Sequence, residues 1–400
     1  MKVLFVAPYL PSRVRIRPFQ WIQALAANGC DIHLVCLAPP EDRWASDEPL
    51  RSACQRIDRF ALSRVQTLAN AARAVATGIP LQALYSRHRE AIAHVAALAP
   101  RFDVVHIEHL RGVVMADGVT TTPIVVDAVD SISLLFEQAA RRAPHLSQRL
   151  TARLEVERTR RYEARLPHRF ARTLTTSSRE REAFIRLAGT EIADRVVTIP
   201  NGVDMDYFHP SSEPRPAPTI LLTGKMSYHA NVAAALRLVH NIMPRVWQAR
   251  PDAEVVIAGK DPPQDLRALT ANPRVTVTGF VDDLRPYFAR ARVAVAPLVY
   301  GAGIQNKVLE AMACGVPVVT TNGVSQAFVA RSGVDLFLAD TDDDFSRHIL
   351  AMLGDDRMQQ ACGLAGRRYV EAHHDWYALA QRLIGVYEDA IRYNRSTSSR

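Results

Sequence analysis

Between Pro297 and Thr321 the chain reads PLVYGAGIQNKVLEAMACGVPVVTT, a stretch in which a few residues could do chemistry. Gly301 and Gly303 carry no Cβ to hold a ligand away from backbone N–H groups. The helix that follows turns its unpaired N–H groups and the positive end of its dipole toward that glycine turn, a setting that favours a phosphate. Ile304, Val308 and Met312 fall on one helical face suited to a sheet. Lys307 and Glu310, three residues apart, share the opposite side. A cation there suits a diphosphate, and a carboxylate suits the vicinal hydroxyls of a ribose. The same spacing also fits an ordinary solvated ion pair, and spacing alone does not choose between them. Gly315 stops the helix, and Val316 to Thr320 reads as a buried strand.

The elements that must position these groups are legible along the whole chain. Lys2 to Ala7 is an apolar strand, Pro18 to Asn28 has helical spacing at Trp21, Ile22, Leu25 and Ala26, and Asp31 to Cys36 is a second strand. Strand, helix, strand at this spacing implies a parallel sheet. Residues 41–100 read as helical and alanine-rich, broken at Gly78 and Pro80. A strand follows at 103–108 and a strand and turn at 123–133, then a long arginine–glutamate helix from Leu146 to Leu166, expected to be exposed on one side. SSEPRPAP, residues 211–218, has the composition of a linker. Beyond it, strands at 219–223, 254–259, 275–281 and 293–297 alternate with helices. A final amphipathic helix spans His373 to Tyr393, before a tail, RSTSSR, expected to be disordered. The division expected is 1–205, a linker at 206–218, 219–375, and a terminal helix and tail at 376–400.

Composition narrows the class. Four hundred residues, 48% apolar and 22% charged, suit two ordinary globular domains. No apolar run reaches the roughly 18–20 residues that span a bilayer, and MKVLFVAPYL is too quickly broken by proline for a secretory signal. The five cysteines lack metal-ligand spacing and read as reduced thiols of a cytoplasmic protein. Of the net charge of +8, residues 1–204 carry +7 and the remainder +1. That excess is either a solvated face or an attraction to an anionic acceptor or anionic membrane surface. Nucleic acid is not expected, because no binding module accompanies the charge.

The run KVLEAMACGVPVV, residues 307–319, resembles the nucleotide-sugar motif of the family 4 glycosyltransferases, retaining enzymes of GT-B fold. DVVH (103–106), LTTSS (174–178), IPNGVD (199–204) and TGF (278–280) agree with it, so the resemblance covers nearly the whole chain. It implies an α/β protein of two Rossmann-like domains with parallel sheets facing an interdomain cleft, the C-terminal helix crossing back to the first domain. It implies a sugar transferred from a nucleotide diphosphate-sugar co-substrate to a hydroxyl acceptor, in polysaccharide or glycolipid synthesis, with no cofactor and no metal. Asp282 and Asp283 are adjacent and do not form a D-x-D metal motif.

Residue by residue, the resemblance implies donor contacts at Gly224, Gly279, Phe280, Gly301, Ala302, Gly303, Ile304, Lys307 and Glu310. Lys225 and Lys307 would meet the diphosphate. Asp130 takes the place of the family's strand-tip histidine beside the donor sugar, with an ordinary helix N-cap as its alternative. Arg17, Glu108, His109 and Asn201 fall on the acceptor or cleft side, and His106 reads as structural. Two departures stand out. The family's glutamate eight residues before Glu310 is Ala302 here, and its glycine pair after the first strand is replaced by Ser12 to Arg15. The GxGxxxK form resembles an exopolysaccharide-associated subgroup. A non-catalytic nucleotide-sugar binder and a GT-B sugar-nucleotide epimerase are the competing readings.

Overall fold

The computed structural model describes residues 1–12, 15–38, 48–142, 146–215, 217–298, 305–325 and 329–398. The chain forms two compact units: Met1–Pro200 together with Trp376–Arg400, and Asn201–Asp375.

In the first unit, seven strands form one parallel sheet: β1 Lys2–Ala7, β2 Asp31–Ala38, β3 Arg56–Ala61, β4 Val104–Glu108, β5 Ile124–Asp127, β6 Arg172–Thr175 and β7 Val196–Thr198. Their order is β3-β2-β1-β4-β5-β6-β7. The apolar runs read from the sequence arise because both faces of a parallel sheet are covered. Along β1 the alternation is visible: Val3, Phe5 and Ala7 enter one core, while Leu4 and Val6 enter the core on the opposite face. The first core is closed by the helices Ile16–Ala27 and Trp376–Ser398, whose Trp21 and Trp376 rings meet edge to face at 4.8 Å. Tyr387, also from the terminal helix, is fully buried, and its hydroxyl pairs with His106 Nδ1 at 2.8 Å.

The second unit repeats this topology with six strands: β8 Thr219–Thr223, β9 Glu254–Ala258, β10 Val275–Val277, β11 Val293–Ala296, β12 Val318–Thr320 and β13 Phe337–Leu338. They are ordered β10-β9-β8-β11-β12-β13. In each sheet the strand order reverses beside the first strand of the unit, between β1 and β4 and between β8 and β11. The carboxyl ends of strands at such a switch point leave a crevice where ligands of open α/β sheets bind.

The α/β class and the parallel sheets agree with expectation. Several details do not. Residues 41–100 are not wholly helical: β3 lies among them, a polar edge strand, RIDRFA, without an apolar run to mark it. The terminal helix begins at Trp376, after a break at His374 and Asp375, and it runs through the supposedly disordered Arg395 to Ser398. The expected strand 275–281 ends at Val277, where the chain turns at Gly279.

The terminal helix thus completes the first core, and truncating its anchor tests how much it contributes. Trp376→Ala should cost the first unit about 3–5 kcal/mol, read as a shift of its denaturant transition. An unshifted transition would mean that the helix only rests on the surface.

Candidate functional site

In the second unit the polar groups gather where β8 ends. Gly224 (φ +147°) and Gly259 (φ +154°) follow β8 and β9 and lie back to back. A Cβ on Gly259 would stand 1.7 Å from the Gly224 carbonyl oxygen, so no other residue fits there. A Cβ on Gly224 would stand 2.8 Å from Asn231 Nδ2 and 3.1 Å from Lys307 Nζ. The missing Cβ therefore keeps open the space in front of these two side chains. Asn231, in the first turn of the helix His229–Arg237, donates Nδ2 to the Lys225 carbonyl at 2.9 Å, and its Oδ1 accepts from Lys307 Nζ.

The helix carrying Lys307 and Glu310 spans Asn306–Ala313. Val308, Leu309, Ala311, Met312 and Ala313 are buried, which fixes the direction of the two charged residues between them. Neither is an ordinary solvated charge. Burial pulls the Lys307 ammonium down to about 8 and pushes the Glu310 carboxyl up to about 7, each partly offset by the other. Asn201 Nδ2 donates to Asn306 Oδ1 at 3.3 Å, so the IPNGVD turn touches the start of this helix. Lys225 is exposed beside Gly224. Phe280, 69% exposed, follows Gly279 (φ +73°) and leaves a ring face open to solvent. Gly301, Ala302, Gly303 and Ile304 lie outside the described residues.

In the first unit the titratable groups gather at the ends of β1, β4 and β5. Asp127, the last residue of β5, is fully buried. Its Oδ2 accepts from Arg17 Nε at 2.8 Å and Trp21 Nε1 at 3.1 Å, and its Oδ1 accepts from the Val129 amide at 3.1 Å. Burial alone would raise this carboxyl; the Arg17 charge and these donors outweigh it and hold it below the usual range. The rest of the Arg17 guanidinium donates to the carbonyls of Ile199 and Pro200 at 3.1 and 3.2 Å. Arg17, expected on the acceptor side, is thus a buried cation that positions Asp127 and the turn after β7.

Glu108, at the end of β4, is buried, and its Oε1 accepts from the Tyr9 hydroxyl at 3.4 Å. Burial and the nearby Asp127 charge raise it well above the ordinary carboxyl value. His106 and His109 are each pulled down to about 4 by burial, and both are neutral at physiological pH. His109 (φ +64°) and Val129 (φ +63°) adopt left-handed backbone just beyond β4 and β5. For the β-branched Val129 this is a real conformational cost, of the kind that clusters at functional sites.

Asp130 does not cap a helix. The donors at the start of the helix Ile132–Arg142 go elsewhere: Glu163 accepts from the amides of Ile132 and Ser133 at 2.7 and 3.2 Å, and Ser131 Oγ from Leu134 at 3.5 Å. Asp130 is instead pushed up to about 8 by burial and by the Glu180 carboxylate beside it. The sequence reading missed Asn231, Tyr9 and the buried acids Glu163 and Glu180. Asn231 had one signal available, a lone amide six residues beyond Lys225 at the start of a helix.

Comparison with known proteins adds to this geometry. Residues 19–207 match the model described as Glycosyltransferase Family 4, and residues 217–355 match the model described as Glycosyl transferases group 1. A Corynebacterium glutamicum protein, named GDP-mannose-dependent monoacylated alpha-(1-6)-phosphatidylinositol monomannoside mannosyltransferase, is 30% identical over 217 residues, 48% of this chain and 56% of its own. O-antigen chain mannosyltransferase B of Escherichia coli is 28% identical over 54% of this chain and 60% of its own. The chain thus spans little more than half the length of these relatives. Among solved structures, a sucrose-phosphate synthase from Thermosynechococcus elongatus superposes with a TM-score of 0.70 at 19% identity, covering 97% of this chain and 98% of its own. The Anabaena protein HepE, in complex with UDP and glucose, gives 0.68 at 15% identity, covering 97% and 99%.

The Arg17–Asp127 pair yields a stability prediction. Asp127 is held below its ordinary value, so its contribution is complete above about pH 4 and is lost as pH falls through the folded value. Arg17→Met should cost about 3–5 kcal/mol near neutral pH by stranding a buried charge, and the added change Asp127→Asn should restore part of it. Urea titrations of both variants at pH 7 measure this, and additive losses would show that the two residues do not act as a pair.

Proposed function

The chain belongs to the family 4 glycosyltransferases of GT-B fold, and from that premise we propose that it transfers a sugar, with retention, from a nucleotide diphosphate-sugar to a hydroxyl acceptor. The observation that carries the proposal is the group around Gly224, where a glycine gap, the amide of Asn231 and Lys307 converge at a switch point, with Glu310 three residues along the helix from Lys307. Lys307 would neutralise the diphosphate, with the exposed Lys225 as a second cation. Glu310 would accept from the ribose hydroxyls. The open ring of Phe280 offers a face to the base. As the bond to the sugar breaks, negative charge grows on the departing diphosphate, and preformed cations that meet it there lower the barrier. No metal is needed for this step.

Asp130 and Glu108 are the groups proposed for the sugar and the acceptor. Asp130 retains its proton near neutral pH, which makes it a hydrogen-bond donor to a sugar oxygen in the resting protein. Glu108, buried at the end of β4, would face the acceptor. GDP-mannose, named for the Corynebacterium relative, is the first donor to try, followed by UDP-glucose.

The acceptor is proposed to lie at an anionic membrane face, as a lipid-linked or glycan hydroxyl. The structure strengthens the charge argument. Of the glutamates that could balance the first unit's arginines, Glu155, Glu163 and Glu180 are buried. Glu155 accepts from the Leu81 amide at 2.8 Å, and the other two serve helix starts and the β6 turn. The exposed charge is therefore more positive than the sequence total. Val65, Leu68 and Val75 lie exposed along one face of the helix Arg64–Thr77, and Leu150 and Leu154 are exposed on the long helix Leu146–Arg169. Among the described residues no helix is long and apolar enough to cross a membrane, and the contact is proposed as peripheral.

Two measurements test the reading. Nucleoside diphosphate affinity should follow a bell, rising as Glu310 ionises near pH 7 and falling as Lys307 loses its proton near pH 8. Glu310→Ala should abolish the acid limb and weaken nucleotide and donor alike, while Lys307→Ala should depress turnover as well. Calorimetry across pH decides it, and a flat profile in the wild type would remove both assignments. For the acceptor side, flotation with anionic liposomes should carry the protein upward at low salt and release it at high salt, since exposed charges act over only about 8 Å at physiological ionic strength. Sedimentation at both salt levels would point to a soluble acceptor.

A further inference from the structure

Far from the strand ends that hold Arg17 and Glu108, a second polar cluster lies on the outer strands of the first sheet. His33 is the third residue of β2, and Asp58 is the third residue of β3. The parallel register pairs His33 with Arg56 and Val35 with Asp58, so His33 and Asp58 project from one face as diagonal neighbours. His94, on the helix Arg89–Leu98 that covers this face, reaches the same point. Both imidazole Nε2 atoms lie 2.7 Å from a single atom, Asp58 Oδ2. The three atoms are all within 4.8 Å of one another.

Two imidazole nitrogens thus converge on one carboxylate oxygen, a two-nitrogen, one-oxygen set around a single point. The other oxygen of Asp58 already accepts from Arg56 Nε at 2.9 Å. Arg56 thereby does what an outer-shell partner does in a metal site: it occupies one oxygen and fixes the direction of the other. The rings are held as well, with Phe102 edge-on to His33 at 5.6 Å and Phe60 tilted against His94 at 5.4 Å. Side-chain exposure rises from 10% for His33 and 15% for Asp58 to 31% for His94, which leaves a path for solvent on one side.

We propose that His33, Asp58 and His94 form a binding site for a borderline divalent cation of the zinc type, with a solvent ligand in the fourth position. Two nitrogens and one monodentate oxygen suit zinc, cobalt(II) or nickel(II); magnesium and calcium would require an oxygen-rich set. Ligand atoms around a tetrahedral zinc are separated by about 3.3 Å, so the 2.7 Å contacts need open by only a few tenths of an ångström to each side. Arg56 lies on the carboxylate oxygen away from the ion, where its charge is already paired. The other buried His–carboxylate group, His106, Glu108 and Asp127, is a poorer host because the Arg17 guanidinium already occupies Asp127. An ion at the first site would tie the edge strand β3 and its covering helix to β2. Its effect is on the stability of this corner and not on sugar transfer.

The test is zinc and cobalt(II) binding to the full chain after chelator treatment and desalting. One zinc ion per chain should bind, cobalt(II) should give the intense visible bands of a four-coordinate site, and added zinc should raise the melting temperature. His94→Gln and Asp58→Asn should each weaken zinc binding by at least about tenfold, while circular dichroism in EDTA stays that of the wild type. His94→Gln, at the most exposed of the three positions, keeps the test usable if the Asp58 variant misfolds. No uptake by the wild type, or equal uptake by the folded His94→Gln variant, overturns the proposal and leaves the cluster a hydrogen-bonded one.

Discussion

One buried charge organises the first unit. Asp127 is ionised in the interior because Arg17 reaches it, and the same guanidinium also holds the carbonyls of Ile199 and Pro200. The pair therefore ties the helix after β1, the end of β5 and the turn after β7 at one point. Its influence spreads through the field of Asp127 to groups that make no bond with it. Glu108 and Asp130 are raised mainly by burial and in part by that charge, while Asp127 itself is held below its ordinary value. Separating the ionisation of neighbouring acids in this way gives one strand edge both an anion and carboxyls of higher pKa.

The second unit has the same strand order and solves a different problem. Its polar groups are few, and access is created by subtraction: two glycines back to back, one of them unable to carry a single further carbon. Lys307 and Glu310 sit close enough to be half-desolvated and far enough from saturation to respond to a ligand. Burial shifts both toward neutral pH, each partly offset by the other.

How much of this the sequence disclosed depended on whether the signal was local. Lys307 and Glu310 were legible because they lie three residues apart on one short helix, whereas Asn231, 76 residues from Lys307, was not. Buried strands announced themselves as apolar runs, while β3 did not, since RIDRFA is an edge strand whose polar residues pair with groups on β2 and a distant helix. Arg17 and Asp127 are 110 residues apart, and nothing near either one shows that they meet. Glu163 and Glu180 looked like members of a solvated charge run. Composition could not distinguish them from Glu157 and Glu182, which remain outside, because the difference lies in which helix starts fold against them.

The terminal helix has one consequence for the order of events when the chain is made. The segment that leaves the first unit and the segment that returns are joined, Val203 donating to the His374 carbonyl at 2.8 Å and His374 Nδ1 meeting the Asn201 carbonyl at 2.6 Å. Everything between them, residues 201–375, is an insertion into a unit whose last helix comes after it. At about 5–20 residues per second the 175 inserted residues take roughly 9–35 s to synthesise. For that interval Trp21, Ile22 and Leu25 lack the helix that covers them. Their apolar side stays without that cover until the last helix is made, and all of the second unit is synthesised before the first can close.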